Sequence, residues 1–380
     1  MKVLVLGCGN IGSVAAEDLA NSLSSAEIVV ADNNLRKARN VAEKIGRKNI
    51  SWARLDAANQ NELFYTLKDF DLVMGFLPGR LGYRLVETCI EAGKNLVDVS
   101  YMAENPLTLN DKAKSKSITV IPDCGLAPGI SNILVGHAAK KFDKVHAIRI
   151  LVGGLPEKPM PPLGYIITWS AESLIDEYTR NVRTVRGGKR VTVNALTGLE
   201  EVDFPGVGKL EAFYTDGLRT LLHTMEGVRE MWEKTLRYPG HAEKIRLLKS
   251  LGFFEERKVN VDGVNVSPRR LTVKLFEQKL SMPEIRDIVA LKVEVSGFEG
   301  GEKRSYVYHL LDRYDERRRI TAMARTTAYP ASIVAQLMLM GALREKGVVP
   351  PEKIGVNDEF FSRFLNELKK RGIDITEKAG

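Results

Sequence analysis

Within the first 125 residues, short apolar runs alternate with stretches of helical periodicity, and this alternation limits the fold more than any other feature of the chain. KVLVLG precedes SVAAEDLANSL, EIVVAD precedes LRKARNVAEKI, DLVMGFLP precedes YRLVETCIEAG, and the runs NLVDVS and TVIPDCG follow. Strands spaced by helices of this length read as consecutive right-handed crossover units on a parallel sheet. The runs are apolar nearly throughout, as expected of strands covered by helices on both faces. The fold class is therefore α/β, with a Rossmann-type doubly wound parallel sheet. After Gly129 the pattern changes. TVRGGKRVTV at 184–193 reads as a hairpin, and DIVALKVEVSG and EKRSYVYHLLDR, separated by FEGG, read as a longer one. A chain of 380 residues exceeds what one ordinary domain needs, so the middle is read as an inserted α+β domain built on an antiparallel sheet. The run PASIVAQLMLMGAL after TTAYP reads as a helix with proline in its first turn. It is too apolar to be covered on one side only, and is assigned back to the first domain. The predicted boundaries are 1–125 with 326–380 for the first domain and 126–325 for the second.

Composition excludes several classes of function. A net charge of +8 is dilute on 380 residues, and the densest basic run, RYDERRRI, contains two acids. Without a recognised module, this does not support nucleic-acid binding. A modest positive field would instead gather an anionic dinucleotide or a carboxylate substrate. No run of eighteen apolar residues occurs, and glycines interrupt the amino-terminal VLVLGCGNIG. The expectation is no membrane span, no signal peptide and a cytoplasmic location. Cys8, Cys89 and Cys124 lie far apart without CxxC or histidine-rich company, which argues against a disulfide framework and a metal site.

The strongest local motif is Gly7-Cys8-Gly9-Asn10-Ile11-Gly12, directly after a strand and before a helix. Gly7 permits the tight turn, Gly9 lets backbone approach a pyrophosphate, and Gly12 lets helix and strand pack closely. Asp32 closes the second strand twenty residues after Gly12, where a carboxylate accepts hydrogen bonds from the adenosine ribose. The same charge repels a 2′-phosphate, so NAD is favoured over NADP. Asn33, Asn34 and Arg36 soften that preference, because an arginine there would accept the phosphate. Ligands of such sheets sit beyond the carboxyl ends of the strands. Asp56 and Ala57 after the third strand are candidates to border the adenine, and Phe76, Leu77 and Pro78 after the fourth to wall the cofactor. Asp98, Ser100 and Tyr101 follow the fifth strand, and Asp123 and Cys124 the sixth. For each, the alternative is an ordinary turn or cap residue; their common placement raises the group above its members.

GCGNIG, LPG at 77–79, VDVSY at 97–101, PDCGLAPG at 122–129, TLRYPGH at 235–241 and TTAYPASIVAQL at 326–337 resemble, in order and spacing, the saccharopine dehydrogenase and lysine 6-dehydrogenase family over nearly the whole chain. The resemblance implies a dinucleotide domain made from both chain ends, a central substrate-binding and dimerisation domain, and chemistry at the carbon–nitrogen bond of lysine or a lysine adduct. The chain is shorter than saccharopine-forming members and looks more like the lysine 6-dehydrogenases. Amine oxidation by hydride transfer needs a neutral amine, so a base must take a proton. Asp123 is the first candidate, Tyr101 and His241 are others, and Cys124 is weaker. Asp123 has an equally ready reading as the cap of the helix after Pro128, and a lone histidine beginning a helix after YPG, as His241 does, is more often structural. The substrate carboxylate needs a fork of donors, for which Arg237 is the first choice and Arg219 the second, with Cys124 beside them. The expected activity is NAD-dependent oxidation of L-lysine at its 6-amino group, giving the semialdehyde or its cyclic imine, ammonia and NADH. The alternatives are a saccharopine-type dehydrogenase, carboxynorspermidine-type chemistry and a catalytically silent dinucleotide sensor. A homodimer is expected through the hairpin at 286–314, whose sheet has a face that a second subunit could cover.

Overall fold

Apolar runs that are continuous in the sequence become the central strands of a parallel sheet. In the computed structural model, which describes residues 1–282 and 284–380, the first of these are β1 (Lys2–Leu6), β2 (Glu27–Asp32), β3 (Ile50–Arg54), β4 (Leu72–Gly75), β5 (Asn95–Asp98) and β6 (Thr119–Ile121). Between and after them come α1 (Asn10–Ser22), α2 (Leu35–Ile45), α3 (Gln60–Leu67), α4 (Gly79–Glu91), α5 (Asn110–Ser115) and α6 (Ile130–Ala139). The strands lie in the order β6-β5-β4-β1-β2-β3, all parallel. The chain therefore winds outward from β1 in one direction through β2 and β3, and in the other through β4, β5 and β6. The reversal falls between β1 and β4, where such sheets open a crevice for a ligand. Leu4, Leu6, Val73, Leu85, Leu96 and Val120 are among the side chains of the core.

The chain then builds a second sheet from β7 (Lys144–Pro156), β8 (Val182–Arg186), β9 (Lys189–Val193), β10 (Glu200–Phe204), β11 (Gly208–Tyr214), β12 (Glu230–Arg237), β15 (Asp287–Glu299) and β16 (Glu302–Arg313). Interspersed are α7 (Ala171–Thr179), α8 (Leu221–Thr224), α9 (His241–Ser250), a small separate hairpin of β13 (Val259–Val261) and β14 (Val264–Val266), and α10 (Pro268–Lys279). The order β10-β11-β12-β7-β15-β16 is antiparallel except for β7 and β12, which run parallel. The sheet is thus mixed rather than wholly antiparallel. A parallel pair needs a long crossover, and the chain from 157 to 229 supplies it. Both hairpins read from the sequence form. Gly187 and Gly188 join β8 to β9, and Gly300 and Gly301 join β15 to β16; all four have positive φ, as a two-residue hairpin turn with the twist of its strands requires.

The remaining elements are α11 (Ala322–Leu339), β17 (Gly347–Val348), α12 (Pro351–Gly355), α13 (Asp358–Lys370) and β18 (Ile375–Ala379). α11 begins eight residues before Pro330, so the proline lies inside the helix and not in its first turn. The start is set elsewhere: the Asp287 carboxylate accepts from Ala322 N and Met323 N, satisfying donors that an uncapped helix leaves open. Further along α11, Ser332 Oγ donates to Asp18 on α1 at 2.6 Å, and Arg371 closes a salt bridge to the same carboxylate at 2.8 Å. β17 pairs parallel to β6, and β18 pairs antiparallel to β16. The chain divides into one unit of Met1–Lys141, Arg219–Thr224 and Ala324–Asp374, and another of Phe142–Leu218, Met225–Met323 and Ile375–Gly380. Compared with the boundaries expected from sequence, 126–141, 219–224 and 324–325 fall in the first unit and 375–380 in the second. α6 accounts for the first shift, since it is apolar nearly all round and has eight of its ten residues buried. No helix among the described residues is long and apolar enough to cross a membrane.

Candidate active site

The glycine motif forms the turn that its spacing demands. Gly7 has φ +106°, and a Cβ there would lie 2.4 Å from the carbonyl oxygen of Phe76; at Gly12 it would lie 1.9 Å from that of Gly7. A Cβ at Gly9 would meet nothing within 4 Å, so this side of the turn is open. Gly9 is the N-cap of α1 and supplies no side-chain cap, whereas Asn34, Asn59, Ser170, Ser267 and Asn357 cap their helices. The first N–H groups of α1 and its partial positive charge are left for an external anion, which fits a dinucleotide pyrophosphate. Asp32 stands beside the turn, with Oδ2 accepting from Cys8 N and Oδ1 from Asn34 N, both at 2.9 Å. A carboxylate has about four lone-pair sites, so two bonds leave room for ribose hydroxyls. Asn10 is exposed and Ile11 half-buried at the head of α1. Phe76 N donates to Leu6 O at 2.9 Å, setting the half-buried Phe76, Leu77 and Pro78 against the turn. Asp56 makes a local turn, with Oδ1 accepting from Ala58 N at 3.0 Å, and Ala57 is buried in the core.

At the ends of β5 and β6 the first unit gathers two carboxylates and a guanidinium. Asp98 is 0% exposed. Its Oδ2 accepts from Ser100 N at 3.0 Å and, in a short contact, from Ser100 Oγ, while its Oδ1 has no partner among the described residues. Burial pushes its pKa up to about 7; the Ser100 bonds and Arg219 oppose the rise, and Asp123 adds to it. Space for this loop comes from α4. A Cβ at Gly82 would fall 2.1 Å from Ser100 Oγ, and one at Gly79 would fall 2.2 Å from Tyr101 O, so Tyr101, half-buried, follows directly on the helix contact. Asp123, 1% exposed, pairs with Arg219, 4% exposed, through Nε at 3.2 and 3.3 Å. The remaining guanidinium nitrogens donate to the carbonyls of Met102 and Glu104. Both partners hold left-handed backbone, with φ +53° and +50°, a conformation that costs a non-glycine residue on the order of 1 kcal/mol and persists where surroundings over-determine it. Cys124 N donates to Asp98 O at 2.8 Å, and burial raises the Cys124 thiol far above its ordinary range, so it stays protonated. Burial likewise pushes Cys8 up to about 12.

Arg237 and His241 belong to the second unit, each with partners of its own. Arg237, at the end of β12, donates from Nη2 to Glu177 Oε1 at 2.8 Å and from Nη1 to Leu236 O at 2.9 Å, and its guanidinium lies 4.6 Å from the centre of the Tyr165 ring. Expected from sequence as a free fork for a substrate carboxylate, it is a buried cation already matched by an anion. His241 has both ring nitrogens engaged, Nε2 with Tyr178 Oη and Nδ1 with Leu163 O, each at 2.9 Å. Burial first and Arg237 second hold its pKa down to about 3, so the imidazole is neutral. Glu177, Tyr165, Tyr178 and Glu233, which burial pushes up to about 8, complete this cluster. None carries a sequence motif, and their burial is the only signal that marks them. Among the described residues no group of His, Cys, Asp and Glu is placed to hold a metal.

With this geometry in view, comparison with known proteins is informative. A model described as the saccharopine dehydrogenase NADP binding domain matches residues 3–121, and one described as the saccharopine dehydrogenase C-terminal domain matches residues 125–373. The chain is 25% identical to a Saccharomyces cerevisiae saccharopine dehydrogenase [NADP(+), L-glutamate-forming], over 99% of each protein. It is 22% identical to carboxyaminopropylagmatine dehydrogenase of Synechocystis sp., over 98% of this chain and 96% of that one. It is 24% identical to alpha-aminoadipic semialdehyde synthase of Arabidopsis thaliana, matching over 99% of this chain but spanning only 45% of that longer protein. The solved apo saccharopine dehydrogenase (L-Glu forming) of S. cerevisiae superposes with a TM-score of 0.80 at 20% identity, covering 100% of this chain and 99% of that one, which establishes a shared fold.

Proposed function

The chain belongs to the saccharopine dehydrogenase family, and from that premise we propose that it oxidises the 6-amino group of L-lysine with NAD, giving NADH and an iminium that water converts to the semialdehyde, or its cyclic imine, with release of ammonia. One observation carries the choice of substrate: the two arginines expected to receive a substrate carboxylate are already matched by carboxylates of the chain itself, Arg219 by Asp123 and Arg237 by Glu177. A substrate with a single carboxylate asks for fewer buried cations than an adduct with three. The second reading is oxidoreduction of a lysine adduct of the saccharopine type, favoured by the name of the yeast relative, which the match spans over 99% of its length.

The bound dinucleotide supplies the hydride acceptor. Gly9 and the open end of α1 hold its phosphates. Asp32 receives its ribose and disfavours a 2′-phosphate, which is the support for NAD although the yeast relative is named for NADP(+). Asp123 takes the proton that frees the amine lone pair, and Arg219, paired to it at 3.2 Å, holds its carboxylate in place. Asp98, with its raised pKa and an open Oδ1, exchanges that proton near neutral pH. Tyr101, which follows Ser100 directly in the chain, is a further donor, and Cys124, kept protonated by burial, shapes the site without moving protons; His241 stays neutral within the second unit. A homodimer formed on the sheet of the second unit, in a cytoplasmic setting that suits three free cysteines, completes the reading; a single monomeric species in light scattering at micromolar concentration would remove the dimer.

The deciding assay mixes enzyme, NAD and L-lysine with no oxo-acid. NADH and ammonia in equal amounts are the expected outcome. No turnover with lysine, but NADH from saccharopine and NAD or NADP, transfers the assignment to the second reading.

A further inference from the structure

The segment Arg219–Thr224 reaches the first unit from a stretch of chain whose neighbours on both sides, Leu218 and Met225, belong to the second. Side chains fasten this strap at three places. Arg219 ties it to Asp123 and to the carbonyls of Met102 and Glu104. His223 Nε2 meets Asn105 Nδ2 at 3.3 Å. Thr220 Oγ1 and Thr224 Oγ1 donate to the two carboxylate oxygens of Glu352, at 3.0 and 2.7 Å.

Glu352 is 1% exposed. Its remaining hydrogen bond comes from Asn132 Nδ2 at 3.0 Å, and no cation lies within salt-bridge distance of it among the described residues. A carboxylate buried against neutral donors alone is costly compared with an apolar residue of the same size. Its geometry gives a return for that cost, since it grips both ends of the one turn, α8, that follows Arg219. Arg219 itself sits in left-handed backbone and needs its neighbours held.

We propose that Glu352 is a positioning residue: it clasps the 219–224 strap to the first unit and so fixes the Arg219 guanidinium against Asp123. The inference rests on the reading that this ion pair serves the reaction, but its consequences can be read without turnover. Releasing the strap withdraws the Arg219 guanidinium from Asp98, whose pKa Arg219 lowers and Asp123 raises. The Asp98 carboxyl must then titrate at higher pH. A residue that merely filled space would have no such remote effect.

The test uses the full chain in three forms, Glu352→Ala, Glu352→Gln and the double variant Thr220→Val with Thr224→Val. Hydrogen exchange is followed at amides 219–224, and the Asp98 carboxyl is titrated by 13C NMR, assigned with Asp98→Asn. In Glu352→Ala and in the double variant, the strap amides should exchange about tenfold faster or more, as loss of one or two buried hydrogen bonds allows, while amides of β1 and β4 keep their protection and Asp98 titrates higher than in the parent. Glu352→Gln, which keeps a carbonyl acceptor, should fall between. A faster strap with an unmoved Asp98 titration overturns the positioning role, and an unchanged strap overturns the clasp. If Glu352→Ala also loses protection in β1 and β4, the double variant alone decides, by the same two criteria. Failure of lysine turnover would overturn the assigned substrate and leave these measurements untouched.

Discussion

Asp98 and His241 depart from ordinary titration in ways that pull stability in opposite directions. Asp98, with a folded pKa raised to about 7, binds a proton in the folded state over a range where the unfolded chain has lost it. Its contribution is fully present below about pH 4 and is lost as the pH rises through about 7. His241, with a folded pKa lowered to about 3, contributes stability that is present above about pH 6.5 and lost as the pH falls. In Asp98→Asn the melting temperature should therefore climb more steeply between pH 4 and 7 than in the parent, and in His241→Asn less steeply. Calorimetric scans across that range check both, and equal slopes in all three proteins would dismiss the assignments. Asp32 offers a separate test. Asp32→Ala should weaken NAD about tenfold or more, the cost of losing charged hydrogen bonds, and weaken NADP less; equal losses in titration calorimetry would exclude it as the discriminating group.

Among the elements, the turn from β1 into α1 tolerates least. Gly12→Ala would drive a methyl to within 1.9 Å of a backbone carbonyl, an overpacking that costs about 1–3 kcal/mol, and should lower both the melting temperature and dinucleotide affinity. A variant with parental values for both would show that the turn has slack. This turn was legible because its requirements are local. So were the parallel strands, whose apolar runs need no partner to be recognised, and the Gly187-Gly188 and Gly300-Gly301 hairpins, which announce their own backbone. What escaped depended on distant partners. The start of α11 is set by Asp287, 35 residues away, so Pro330 looked like a first-turn residue. The Asp123–Arg219 pair spans 96 residues. Glu352 in PPEKIG belongs to no motif singled out in the sequence, and only packing reveals it as a buried acceptor. Arg237 was singled out from TLRYPGH as a carboxylate fork, but nothing in that motif says that Glu177 already occupies it.

For the molecule as a whole, the boundary between its units is crossed five times by the chain. A chain ending at Leu339 would keep the full glycine motif and Asp32, yet lack β17, α12 and α13. It should fail to bind NAD in fluorescence titration, and binding at parental affinity would mean that the amino-terminal part is self-sufficient. The same arrangement has a consequence for synthesis. β6 waits for its neighbour β17, in which Gly347 pairs with Thr119, until roughly two hundred further residues have left the ribosome. At about 5–20 residues per second that is a delay of some tens of seconds. Throughout it the nascent sheet presents an unpaired strand edge, the kind of surface that recruits other chains. A holdase that favours exposed edges should therefore associate with this polypeptide once β6 has emerged and let go as β17 follows α11 out.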